Sequence, residues 1–305
     1  MVFKKMRALT WLVAAIMTMG ALTGCAEAKP GLRVAASFYP MADFAGKIGG
    51  DQVSVTVLVP SGTEPHDWEP SPADIVTLSR ADVFVFNGAG MEHWVEDVLN
   101  SLNRPDLIRA EASRGVTLLE GEGHEAGDGH DHDADPHVWL DPMNAKIEMA
   151  NIRDALVAAD PEGKAVYDAN YEKYAAELDA LDAEYRARLN GLENRDVVVA
   201  HAAYGYLCHA YGLDQMAIEG LTPDSEPDPA RVAEIIDFSK ARSVKVIFFE
   251  ELVSPKVAQS IAAQVGASTD VLSPLEGLTD AEASAGDDYF SVMRKNLEAL
   301  TAALG

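Results

Sequence analysis

"YEKYAAELDALDAEYRARLNGL", residues 171–192, is the stretch on which the fold turns. Tyr171, Tyr174, Leu178, Leu181, Tyr185, Leu189 and Leu192 recur at spacings of three and four, which puts them on one face of a helix. Asp160 and Pro161 are good helix-start residues, and Asn190 with Gly191 makes a stop. A helix of about 30 residues would run roughly 45 Å, enough to back two lobes. The same spacing would suit a coiled-coil dimer seam, although the repeat is short. What flanks the stretch favours the first reading.

Before it, apolar strand-like runs stand at 32–38 ("LRVAASF"), 53–59 ("VSVTVLV") and 83–87 ("VFVFN"), separated by helical stretches at 71–81 and 92–102. After it, strands are expected at 196–200, 245–249 and 269–272, with helices near 202–212, 228–241, 255–265 and 284–304. Short apolar runs alternating with helices indicate parallel α/β units. The expected fold class is therefore α/β: two lobes, each a small parallel sheet flanked by helices, joined by one long rigid linking helix. The boundaries read as an N-terminal lobe over 32–160, the linking helix over 161–194 and a C-terminal lobe over 195–305.

Residues 1–24 read as a signal peptide, with Lys4, Lys5 and Arg7 ahead of the apolar run "WLVAAIMTMGAL". That run is too short for a comfortable membrane span, which needs roughly 20 apolar residues. It ends in "LTGC", and small residues before Cys25 resemble the bacterial lipoprotein cleavage box. Cys25 is thus the expected lipidation site, with 25–31 as a linker, and the protein is expected outside the cytoplasm, lipid-anchored to a bacterial membrane. Cys208 would then be the sole thiol, so no intramolecular disulfide can form and the core must supply the stability. The formal charge of −25 becomes −28 once the three leader cations are removed. Such a surface repels phosphate backbones, which excludes nucleic acid as a partner, and favours cations without choosing among them.

Eight histidines remain to be read, four of them in "GHEAGDGHDHDADPHVWLDP", 123–142. His66 follows the second strand in "EPHDWEP", His137 stands in "DPHVWLDP", and His201 comes directly after the strand "VVVA". Ligands of open α/β sheets bind beyond the carboxyl ends of the strands, so three histidines in such loops, drawn from both lobes, can converge on the cleft between them. Prolines bracket His66 and His137 and reduce the entropy lost when a loop is held in one conformation.

"EPHDWEPSPADI", "DPHVWLDPMNA", "HAAYGYL" and "LSPLEGLT…DDYFSVMRKNLEAL" resemble, in order along nearly the whole mature chain, the metal-specific solute-binding lipoproteins of ABC importers, zinc-uptake branch. The resemblance implies one Zn2+ held in the interlobe cleft by four side chains and handed to an importer permease by a monomeric receptor. Carried over, the ligands are His66, His137 and His201, the last marking the zinc branch because manganese-type relatives usually carry a carboxylate there. Many relatives read "DPL" at the fourth position, where this chain has Ser273; Glu276 matches a variant "PLEGL" pattern and is assigned instead, with Asp270 and Glu251 as weaker candidates.

Three neutral imidazoles and one carboxylate suit four-coordinate zinc, whereas manganese prefers more oxygen donors. Imidazole must be neutral to bind, so affinity is expected to fall as pH drops from 7 to 5. Relatives often carry a His- and acid-rich insert before the second ligand, which makes His124, His130 and His132 an auxiliary weak metal loop. Deleting 120–133 tests that role, and unchanged zinc stoichiometry removes it. His93 and His209 read as ordinary helix-surface residues. Two alternatives stand beside the zinc receptor: a manganese or iron receptor of the same family, and a zinc-dependent hydrolase. The hydrolase needs an open coordination position, and neither H-E-x-x-H nor H-x-x-E-H occurs, so no enzymatic activity is expected.

Overall fold

The computed structural model describes residues 31–121, 134–223 and 227–305. Two four-stranded parallel sheets form its frame. The first has the order β2-β1-β3-β4, from β1 (Leu32–Ala36), β2 (Val53–Val57), β3 (Val83–Phe86) and β4 (Ile108–Glu111). The second has the order β6-β5-β7-β8, from β5 (Asp196–Val199), β6 (Asp214–Ala217), β7 (Val246–Phe249) and β8 (Ser268–Val271). Every pairing within both sheets is parallel. Central strands β3 and β5 are apolar and buried throughout or nearly so, as parallel strands covered on both faces must be.

Ten α-helices accompany the sheets among the described residues: α1 (Tyr39–Gly49), α2 (Pro72–Arg80), α3 (Val95–Leu102), α4 (Pro142–Ala159), α5 (Lys164–Leu189), α6 (Gly205–Tyr211), α7 (Pro229–Arg242), α8 (Lys256–Val265), α9 (Asp280–Ala285) and α10 (Tyr289–Leu304). The start signals work as their chemistry requires. Ser71 and Asp74 close a capping box on α2, and Asp141 and Asp228 accept from the first-turn amides of Met143 in α4 and Ala230 in α7. None of the described helices is long and apolar enough to cross a membrane.

The linking helix α5 spans 26 residues, shorter than the expected run of about 30, because Pro161–Gly163 forms a 3-10 turn first. Its apolar face is the one read from the sequence: Leu178, Leu181, Tyr185 and Leu189 are buried, while Tyr171 and Tyr174 are half-buried. That face meets both halves of the molecule and so is not free to form a dimer seam. Asn170 Nδ2 donates to Ile48 O of α1 at 2.9 Å, and Tyr185 OH donates to Met293 O of α10 at 2.6 Å. The expected helix over 284–304 is two helices. Gly286, at φ 81°, ends α9 in the left-handed conformation, and Asp288 caps α10 afresh.

One apolar core runs through both halves. Phe38 packs edge-on against Trp139 with ring centroids 5.1 Å apart, and Phe44 against Tyr289 at 5.0 Å. All four are fully buried. A buried aromatic ring of this kind removes about 150–250 Å² from water, worth roughly 4–6 kcal/mol before entropy costs.

Candidate metal centre

Each sheet sends its loops toward the same place. His66 stands on the segment between β2 and α2, where the Glu64 carboxylate accepts its backbone N–H at 3.1 Å. His137 precedes the short 3-10 turn Val138–Leu140, and its position is tied to the end of β3: Asn87 Nδ2 donates to Pro136 O at 2.9 Å. Glu92 in turn accepts from Ser37 Oγ at 2.6 Å and from the Asn87 and Gly88 amides, which joins the carboxyl ends of β1 and β3. His201 lies two residues past β5, and Glu276 lies in the loop after β8.

That last loop is shaped by an uncommon backbone. Leu275 has φ 59°, a left-handed conformation that costs a non-glycine residue about 1–2 kcal/mol. Three hydrogen bonds and the complete burial of the Leu275 side chain offset it. Asn296 of α10 brackets Ser273, accepting from its amide at 2.9 Å and donating to its carbonyl at 2.7 Å. Trp139 Nε1 donates to Pro274 O at 2.8 Å, while Tyr289 OH donates to Trp139 O at 2.7 Å. The left-handed turn then carries the Glu276 carboxylate inward. The Ser273 hydroxyl accepts from the Leu275 amide at 3.3 Å.

The structure brings His66, His137, His201 and Glu276 together, all buried, with one possible donor atom from each lying within 4.8 Å of the others. His66 Nε2 is 3.2 Å from His137 Nε2 and 3.3 Å from Glu276 Oε1. His137 Nε2 is 3.1 Å from the same oxygen. His201 Nε2 stands 3.4 Å from both His137 Nε2 and Glu276 Oε1. Donors at about 2.0–2.1 Å from a tetrahedral ion would sit roughly 3.3–3.4 Å apart. Five of the six separations therefore match the edges of a tetrahedron built round one small cation, and the sixth, between His66 and His201, lies within 4.8 Å.

The weaker candidates stand elsewhere. Asp270 is exposed and lines a surface groove of about 610 Å³ whose walls carry none of the three histidines. Glu251 lines a small cavity beside Glu276 with Glu64 and Glu250, but it does not join the cluster. Burial pushes its carboxyl up to about 7. His93 pairs with Glu69 at 2.9 Å, and His209 is exposed on α6 while its neighbour Cys208 is buried. Cys25 and His124, His130 and His132 lie outside the described residues.

Electrostatically the three imidazoles are unlike one another. Burial pushes His66 down to about 4 despite Glu276 nearby. Burial also opposes charge on His137 and His201, yet here it is outweighed: Asp135 and Glu276 raise His137, while Glu250 and Glu276 raise His201 well above the ordinary value. Burial would raise Glu276, but the surrounding imidazoles hold it well below the usual carboxylate range. Sequence reasoning missed Asp135 and Glu250, which contact the outer nitrogens of His137 and His201 at 2.8 and 2.7 Å. The available signals were the aspartate two residues before His137 in "DPH" and the acidic pair closing "IFFEE".

Comparison with known proteins places this arrangement. A family profile described as zinc-uptake complex component A, periplasmic (ZnuA), matches residues 34–303. The high-affinity zinc uptake system protein ZnuA of Bacillus subtilis (strain 168) is 40% identical over 310 residues, covering 98% of this chain and 97% of that protein. The zinc-binding lipoprotein AdcA of Streptococcus pneumoniae serotype 4 is 39% identical over 288 residues, with 92% of this chain matching 58% of the longer AdcA. The crystal structure of the Zn(II)-bound ZnuA-like domain of Streptococcus pneumoniae AdcA superposes with a TM-score of 0.78 at 38% identity, covering 90% of this chain and 99% of that one.

Proposed function

The chain belongs to the periplasmic zinc-uptake complex component A family, and we propose from that premise that it is an extracytoplasmic receptor which binds one Zn2+ through His66, His137, His201 and Glu276 and delivers it to the membrane permease of an ABC importer. The observation that carries the reading is the convergence of four buried donors, five of whose six separations are 3.1–3.4 Å, the edge length of a tetrahedron round zinc. Three imidazoles and a single carboxylate suit zinc better than manganese or iron, which favour more oxygen donors and higher coordination. With all four positions supplied by protein, no place is left for the water that a hydrolytic zinc must activate. The receptor acts as a monomer held to the membrane by a lipid on Cys25, with lobes at 32–160 and 195–305 and the linking helix between them. His124, His130 and His132 collect metal weakly ahead of the cleft.

Release follows from the division of the donors. His66 and His137 come with the first sheet, His201 and Glu276 with the second, so separating the lobes by a modest displacement on the importer splits the set in two. A crosslink between the lobes should block uptake while sparing binding; uptake that continues rules the mechanism out. The reading as a whole is tested by anaerobic purification with elemental analysis, then zinc and manganese titration of wild type and Glu276→Ala. One zinc per cleft, lost or greatly weakened in the variant, is expected. A folded preparation that ignores zinc, or takes manganese in preference, overturns it.

A further inference from the structure

We propose that Asp135 and Glu250 are positioning residues for ion capture: each holds the Nδ1 proton of one ligand imidazole, so that the Nε2 lone pair already points at the ion's place in each lobe before the lobes meet. The proposal rests on the zinc-receptor reading above. Asp135 Oδ1 accepts twice from the same histidine, from the His137 backbone N–H at 2.9 Å and from the ring Nδ1 at 2.8 Å. Asp135 is itself buried, and on closure it is also braced from the second lobe, its carbonyl accepting from Tyr206 OH at 3.0 Å. Its other carboxylate oxygen lies so near the start of α6 that a Cβ on Gly205 would come within 2.4 Å of it. Glu250, also buried, accepts from His201 Nδ1 at 2.7 Å.

An imidazole that gives its Nδ1 proton to a carboxylate is fixed in tautomer and ring orientation, and becomes a better donor at Nε2. Both pairs are internal to one lobe. Asp135 and His137 are two residues apart, and Glu250 and His201 follow the hydrogen-bonded neighbours β7 and β5. The contacts of Glu276 with His66 and His137, and the Tyr206 bond to Asp135 O, cross between lobes and are broken by opening, whereas the Asp135–His137 and Glu250–His201 bonds are each made within one lobe and persist. Among the described residues His66 has no such partner at Nδ1, which leaves it the ligand oriented only by closure.

The test uses the full chain and Zn2+ in competition with a chromogenic chelator. Asp135→Ala and Glu250→Ala should each weaken zinc binding about 10–100-fold. Asp135→Asn and Glu250→Gln, which can still accept a hydrogen bond, should recover part of the loss. Zinc-loaded wild type should show two slowly exchanging imidazole Nδ1–H resonances far downfield in its proton spectrum, and each alanine variant should lose one and keep the other. Unchanged affinity overturns the proposal, and so does weakened affinity with both resonances retained. Should an alanine variant fail to fold, the amide variant decides, since affinity equal to wild type overturns it as well. Wild type that binds no zinc sinks the receptor reading instead.

Discussion

In the first lobe His66 and His137 stand on long segments bracketed by proline, whereas in the second His201 follows its strand within two residues and Glu276 is delivered by a strained loop. The two sheets share one strand order, so the frame does not explain this difference. It lies in charge. The first half offers two imidazoles to the ion and keeps its carboxylate, Asp135, behind one of them. The second offers a carboxylate directly and has Glu250 behind its imidazole. On the proposed release by lobe separation, the departing ion should be held longer by the second half, where the nearer negative charge is.

Proton competition gives the largest expected effect. His137 and His201 both titrate above the ordinary imidazole range, so zinc must displace a proton from each as the pH approaches and passes below those values. Affinity should fall by up to two decades per pH unit between 7 and 5, one decade for each proton displaced. His66, pushed down to about 4, adds nothing in that window. Competition titrations at each pH measure the slope, and a slope of three decades would show that His66 is not distinct. Next come the ligand deletions. Four donors sharing about 10–16 kcal/mol supply about 2.5–4 kcal/mol each, roughly two to three decades of affinity. Glu276→Ala, which also removes the charge, should reach or exceed the upper end, and His66→Ala should stay near the lower. Equal losses by isothermal titration would break the comparison between the halves. Smallest is Trp139→Phe. It removes the 2.8 Å bond to Pro274 O and leaves that carbonyl unpaired, so a loss of about 1–3 kcal/mol is expected from the denaturant midpoint.

How much of this could be read in advance depended on burial. The central strands announced themselves as apolar runs. The edge strands β2 and β8 were read as well, from their valines, threonines and leucine, whereas "IRAE" at β4 and "DQMA" at β6 were not, because charged and amide side chains interrupt the apolar run. Helix α4 also escaped notice. Its buried face of Ala145, Met149, Ile152 and Leu156 is interrupted by Glu148, a carboxyl sealed from solvent whose pKa burial raises well above the ordinary value. The break at Gly286 was legible in principle, since a glycine followed by two aspartates is both a stop and a fresh start. At the cluster, the four residues that come together could be named from their motifs. Glu250 could not, because only the pairing of β5 with β7 brings it to His201, and Glu251 next to it looked equally good.

The aromatic interior shared by the two halves has a thermal consequence. Each half keeps a smaller cluster of its own, but Phe38, Trp139 and Tyr289 belong to the largest one, which both halves share, so separating the halves would open most of the interior. Heating the metal-free protein should accordingly give one calorimetric transition whose van't Hoff and measured enthalpies agree. Two resolved peaks would mean that the halves melt as separate bodies.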